Sequence, residues 1–199
     1  VAGQGDEILM TRPCYFNHES ALGMLGIDIG YVDCHPDNGM LPVLDDVAAA
    51  IGPATRALAI VSPNTPCGAI YPPALLDALF SLCQSRGIWL ILDETYRDFM
   101  PLNASRPHDL LRRHGWQDTL IQLYSFSKSY CMPGHRLGAV TGGNAARGSG
   151  AASGGGRDRT SRGTHSSAST TVGGEGKAFR SSLLMYIPRT LTTLTLPEV

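Results

Sequence analysis

The 199-residue chain has little charge of either sign to spare: 16 Lys and Arg against 17 Asp and Glu leave a formal net charge of -1 at pH 7. No long-range field therefore draws it to nucleic acid or to an anionic membrane surface. Metal-ligand spacing is also missing. The five cysteines, Cys14, Cys34, Cys67, Cys83 and Cys131, are odd in number and form no C-x-x-C pair, which argues against a disulfide framework and a zinc site. The six histidines are dispersed, with no H-E-x-x-H spacing, so no structural metal is expected. No run is long and apolar enough to span a membrane, and the first residues lack the basic-then-apolar order of a signal peptide. These absences lead to the expectation of a cytoplasmic protein in a reducing compartment. The chain opens on Val1, inside what reads as a running connection, so upstream sequence is expected to be missing.

What is present is enough apolar material, 43% of residues, for one sizeable core. The pattern alternates strand and helix. Glu7 to Met10 reads as a strand, Phe16 to Leu25 as a helix opened by Asn17 and closed by Gly26, and Ile27 to Val32 as a second strand. A helix over about Leu44 to Ile51 precedes the strand Ala57 to Val61. Pro72 and Pro73 then open a helix in which Leu75, Leu76, Leu79, Phe80 and Cys83 recur at helical spacing until Gly87. Ile88 to Leu92 and Thr119 to Leu123 are further strands. The first of these has no polar interruption, as expected where helices cover both faces of a parallel sheet. Repeated units of this kind predict a doubly wound, mostly parallel α/β domain, in which ligands collect at the carboxyl ends of the strands.

The residues at those ends carry chemistry. Leu123 to Gly138 runs LYSFSKSYCMPGHRLG, with Lys128 in a turn after a strand and Arg136 eight residues later. A lysine there, held half desolvated, is a usable nucleophile toward an aldehyde. Ser125, Ser127 and Arg136 offer hydroxyl donors and a guanidinium fork suited to a phosphate dianion. An amine beside a phosphate cradle suggests pyridoxal phosphate. Asp93, directly after IWLIL, can hold a pyridine nitrogen protonated or simply cap the turn that follows. Tyr96 can bond the ring's phenolic oxygen or pack with a wet hydroxyl. Asn64, in the turn Ser62 to Gly68, suits the same oxygen, although two prolines and a glycine make that turn stiff in any case. Tyr15 can stack on a flat cofactor or cover core.

Together, N-x-P-x-G at Asn64 to Gly68, D-x-x-Y at Asp93 to Tyr96, and S-x-S-K at Ser125 to Lys128 with Arg136 at plus eight resemble class I and II aminotransferases, which are fold-type I pyridoxal phosphate enzymes. The resemblance runs from about Gly5 to Gly142. It implies pyridoxal 5'-phosphate as cofactor, with Lys128 forming the aldimine, Asp93 facing the pyridine nitrogen, and Tyr96 with Asn64 on the ring hydroxyl. Ser125, Ser127 and Arg136 would hold the phosphate and Tyr15 would stack on the ring. It implies amino-group transfer between an amino acid and a 2-oxo acid in a homodimer, with no nucleic-acid or membrane partner. Lyases and synthases on the same fold use the same lysine, aspartate and tyrosine, so that alternative stays open. Ser125 to Lys128 also satisfies S-x-x-K, but the S-D-N and K-T-G strings of that hydrolase class do not occur.

The sequence departs from the family at both ends. The upstream phosphate-binding turn and partner tyrosine that the resemblance implies are expected to lie outside this sequence, as is the small domain downstream. Residues 1–142 are thus expected to be a partial cofactor-binding large domain. Between Gly142 and Gly176 lie eleven of the 23 glycines, with Ser, Thr and Arg filling most of the rest. Residues 143–180 are therefore expected to be disordered, because so little apolar surface cannot offset the entropy of ordering. The tail 181–199 is expected to be a short strand or helix at most. The loss of patterning after about Gly143 is read as out-of-frame or unrelated sequence joined to an aminotransferase core, with a Gly-rich linker as the alternative; an inactive truncated fragment is the alternative reading of function.

Overall fold

In the computed structural model the described residues are 1–101 and 107–143, together with the backbone of three strands at 168–172, 179–187 and 190–194. The element order follows the hydrophobic pattern: β1 (Glu7–Arg12), α1 (Phe16–Met24), β2 (Asp28–Asp33), α2 (Leu44–Ala50), β3 (Thr55–Val61), α3 (Pro73–Arg86), β4 (Trp89–Asp93), β5 (Leu120–Ser125) and β6 (Leu137–Gly142). The sheet order is β2-β1-β3-β4-β5-β6. The first five strands run parallel, and β6 returns antiparallel to β5, with Ser125 opposite Gly138.

Alternation along the strands divides the core between two faces. Leu9, Leu58, Ile60, Leu90, Leu92 and Leu120 point to one face, where α2 and α3 deliver Val47, Leu76, Leu79, Phe80 and Cys83, all fully buried or nearly so. Each large side chain in this layer contributes roughly 1.5–3 kcal/mol of burial. The opposite face gathers Ile8, Met10, Ile27 and Ala57, with Leu22 of α1 packed against them. α1 buries no residue completely, so this face is the more thinly covered one. Gly87 ends α3 in the left-handed conformation at φ 65°, its N–H bonded to the carbonyls of Cys83 and Gln84, as its place after the last apolar repeat predicts.

Two expectations are modified. Asn17 does not open α1: Tyr15 is the residue before the first turn, in extended conformation, with no side-chain cap. Asn17 Nδ2 instead donates to Tyr15 Oη at 2.6 Å. β6 was not anticipated, because Gly138 and Gly142 dilute its strand signal, and pairing with β5 supplies what propensity does not. Beyond β6, the described backbone contains β7 (Ala168–Val172), β8 (Phe179–Ile187) and β9 (Thr190–Leu194). β8 pairs antiparallel with β6, and β7 and β9 pair with β8. Of the stretch 143–180 expected to be disordered, Gly143, β7 and the first two residues of β8 are described, and the rest of that expectation lies outside the described residues.

The register is what builds a site. Val61 pairs with Asp93, and Asp93 pairs with Leu123. The segments leaving β3, β4 and β5 therefore emerge side by side at the carboxyl edge of the sheet, next to the turn after β1.

Candidate cofactor site

A cavity of about 360 Å³ opens at this edge, lined by Tyr15, Asn17, Val61, Thr65, Asp93, Thr95, Tyr96, Ser125, Ser127, Lys128, Pro133 and Arg136. Seven of the eight residues singled out from the sequence are on its wall. They come from three separate connections, after β1, β4 and β5, so their convergence is a property of the sheet and not of local sequence.

Asp93 is its most constrained member. It is 8% exposed. Oδ1 accepts the backbone N–H of Thr95 at 2.9 Å and the Thr95 hydroxyl at 2.6 Å, and Oδ2 lies 3.2 Å from Nε2 of His18. Burial pulls the carboxyl pKa upward. The hydrogen bonds from His18 and Thr95 outweigh it and hold Asp93 below the ordinary carboxylate range. A carboxylate with about four lone-pair sites and three of them engaged keeps one for a ligand. Asp93 closes its own turn through Thr95, as one of its two readings expected, and it also lines the cavity.

Lys128 follows β5 in a turn braced by Ser127 N–H to Ser125 Oγ at 3.2 Å and Cys131 N–H to Lys128 O at 3.0 Å. Its Nζ lies 5.6 Å from the centre of the Tyr96 ring, within cation–π range. The half-desolvated setting expected of it is not found: Lys128 is exposed, as is Arg136, because no described element covers this end of the cavity. Arg136 adopts φ 51°, a left-handed conformation uncommon for a residue with a side chain, and its guanidinium donates to Pro133 O at 3.2 Å. Tyr15 is held edge-on by Phe16 and His18, with ring centres 5.4 and 5.2 Å away.

Asn64 is the eighth residue, and it is not on the wall. It is 6% exposed and its amide is used inside its own turn and on the neighbouring one, donating to Pro13 O at 3.3 Å and accepting from Cys67 N–H at 3.3 Å and Cys67 Sγ at 3.0 Å. Thr65, the next residue, lines the cavity instead. Sequence reading also missed His18 and Thr95. Both left a signal: His18 stands three residues after Tyr15 at the start of a helix, which places the two on one face, and Asp93-x-Thr95 is the spacing of an Asx turn. Behind Asp93, on the other face of the sheet, Glu94 is buried at 1% exposure between His108, Gln122 and Arg97.

Fold and site together define a class, and comparison with known proteins agrees with it. The family model described as aminotransferase class I and II matches residues 1–170, and the chain belongs to that family. Among curated relatives, the arginine–pyruvate transaminase of Pseudomonas aeruginosa is 36% identical over 143 residues, covering 69% of this chain and 35% of that protein. An aromatic aminotransferase of Arabidopsis thaliana is 31% identical over 140 residues, covering 68% of this chain and 34% of its own length. Among solved structures, the aspartate aminotransferase from Thermus thermophilus with maleate superposes with a TM-score of 0.65 at 29% identity, over 72% of this chain and 36% of that one. The chain thus spans about a third of the length of the relatives it matches. Among the described residues no helix is long and apolar enough to cross a membrane, and no group of three or more His, Cys, Asp or Glu side chains could hold a metal ion.

Proposed function

We propose that this chain carries the pyridoxal 5'-phosphate site of an aminotransferase that moves an amino group between an amino acid and a 2-oxo acid. The observation that carries the reading is the single cavity shared by a lysine, a buried anionic aspartate, a tyrosine and a Ser-Ser-Arg set. The donor set suits a flat phosphorylated ring. The cavity volume falls at the lower end of the roughly 300–1,000 Å³ common for small-molecule sites. Thr65, Tyr96 and Ser127 line it, and their hydroxyls have no hydrogen-bond partner among the described residues.

Bound pyridoxal phosphate supplies an aldehyde for an amine and a pyridinium ring that draws electron density from the substrate's α-carbon. The remaining work belongs to side chains. Asp93, kept ionised by His18 and Thr95, would hold a proton on the ring nitrogen through a charge-assisted bond of about 1.5–3 kcal/mol. Lys128 would be the amine placed to meet the aldehyde, and its Nζ would be the group that holds and moves the substrate's α-proton. Ser125, Ser127 and Arg136 hold the phosphate, Tyr15 packs on the ring, and Tyr96 bonds its phenolic oxygen. The reading includes the homodimer that the family resemblance implies.

The test is the visible absorption of the purified chain with added pyridoxal phosphate, beside Lys128→Ala. An absorption band near that of a protonated imine, found only with Lys128, is expected. Borohydride reduction should fix the cofactor's mass on Lys128; the chain has only one other lysine, Lys177. Free-aldehyde spectra from both proteins would sink the reading.

A further inference from the structure

The connection from β5 to β6, Phe126 to Arg136, carries Ser127, Lys128 and Arg136 and is lightly braced from within. Cys131 N–H bonds Lys128 O at 3.0 Å and His135 N–H bonds Met132 O at 3.2 Å, while Lys128, Tyr130, Cys131 and Arg136 are all exposed. Its shape is therefore set by the strands at its two ends. β5 lies inside the sheet, between β4 and β6, and β6 has β5 on one side and β8 on the other. Phe126 N–H donates to Leu137 O at 3.1 Å, so the backbone groups of Leu137 and Ala139 face β5. Those of Gly138 and Val140 face the other way, where the register sets them opposite Leu184 and Ser182 of β8. Without β8 they would form an open edge. β8 is itself held on its far side, by β7 over Phe179 to Leu183 and by β9 over Leu183 to Ile187. It starts at Phe179, past the residues 1–170 that the family model matches.

We propose that β8 is the positioning strand of the Lys128 and Arg136 connection: by pairing with β6 it holds the strand onto which Arg136 opens, and so fixes the cation offered to a ligand's phosphate. Arg136 sits at φ 51°, a conformation unfavourable to a residue with a side chain, which persists only while its neighbours are held. The next residue, Leu137, is the first that β8 pairs, opposite Met185. The identity of the phosphate rests on the pyridoxal phosphate reading above; the hold on the connection does not.

The experiment is amide hydrogen exchange, read by NMR in the full chain, for the parent, Leu184→Pro and Leu184→Val. Proline deletes the N–H that Leu184 turns toward β6 and has no place in an interior strand, whereas valine keeps both backbone groups and a strong strand preference. A net backbone hydrogen bond is worth about fivefold in an opening equilibrium, so losing those of Gly138 and Val140 together should speed their exchange on the order of 25-fold in Leu184→Pro. The amides of Cys131 and His135 should speed up with them. Leu90, whose N–H bonds Thr119 O at 2.7 Å in β4, should keep its protection, and Leu184→Val should match the parent throughout. The same proteins are titrated with pyridoxal 5'-phosphate and with pyridoxal, which lacks the phosphate, through the Lys128-dependent absorption. The preference for the phosphorylated compound should fall about tenfold in Leu184→Pro, as expected for a displaced charge-assisted contact. Unchanged exchange at Gly138 and Val140, or faster exchange there with Cys131, His135 and the preference unmoved, overturns the proposal and leaves the cofactor reading standing. Equal acceleration at Leu90 shows a general loss of stability and overturns it as well. If the parent gives no Lys128-dependent band, the cofactor reading falls and the exchange rates alone decide the proposal.

Discussion

Replacing Thr95 by valine tests how Asp93 is kept ionised in a buried site. The substitution retains the β-branched shape and the backbone N–H, which stays bonded to Asp93 Oδ1 at 2.9 Å, and deletes only the hydroxyl that donates to the same oxygen at 2.6 Å. His18 remains 3.2 Å from the other oxygen. A hydrogen bond to a charged acceptor contributes about 1.5–3 kcal/mol. Thr95 is half-buried on the cavity wall, where water can replace part of that bond, so the lower figure, about 1.5 kcal/mol, is expected at neutral pH. The sign with pH follows from the direction of the Asp93 shift. Its folded pKa lies below the ordinary value of 3.8, so its ionisation stabilises the fold above that value and the contribution is lost as pH falls through the folded pKa. Thr95→Val raises the folded pKa back toward 3.8, so the variant loses its Asp93 contribution at a higher pH than the parent. The difference between the two proteins should be full at pH 7 and shrink in acid, once both carry a protonated Asp93. Urea unfolding at a series of pH values, followed by fluorescence of the buried Trp116, measures it. A loss equal at every pH would show that the hydroxyl acts through packing and refute the electrostatic account.

Glu94→Ala should be the most damaging single change outside the cavity. Burial pushes the Glu94 pKa up, but contacts with His108 and Gln122 and the charge of Arg97 hold it down, and removing one partner from a buried charged group costs about 3–5 kcal/mol; calorimetry should show the melting temperature lower by roughly 10 °C, and a drop of only a degree or two would mean the cluster is solvated. Gly87→Ala isolates backbone strain, because an added Cβ there meets nothing within 4 Å while φ is +65°; a loss of about 1–2 kcal/mol by denaturant unfolding is expected, and none would mean that the turn relaxes.

How much of this was readable beforehand depends on what each residue's position is determined by. Strands β3, β4 and β5 were legible because unbroken apolar runs leave few alternatives, and parallel pairing then fixes Asp93 and Lys128 at one edge. Direction of a side chain within a turn is a different matter. Whether Asn64 or Thr65 faces the cavity depends on the dihedral angles of a segment with two prolines, and residue type alone favoured the amide over the hydroxyl. His18 was missed because a histidine gains meaning only from its partner, and Asp93 lies 75 positions along the chain, joined to it by the sheet. β6 was missed for the opposite reason: Gly138 and Gly142 carry almost no propensity, and only the neighbouring strand makes them extended.

The two ends of the cavity are finished to different degrees, and the difference bears on what the chain can do with a bound ring. At one end Asp93 is buried, its charge set by three hydrogen bonds from within the described chain. That end is preorganised: little reorientation remains to be done when a ligand arrives, so the bond it makes is gained almost in full. At the opposite end Lys128 and Arg136 are exposed. Their charges are screened by water and mobile ions, and each must give up side-chain freedom to hold a phosphate or an aldehyde. On the pyridoxal phosphate reading proposed above, the Asp93 end would set which way round the ring sits, and the tightness of binding would depend on how far the Lys128 and Arg136 end becomes covered. The surroundings of Asp93 are set within the described residues in a way those of Lys128 are not, so on that reading the strength of cofactor capture and the orientation of the cofactor would be separable.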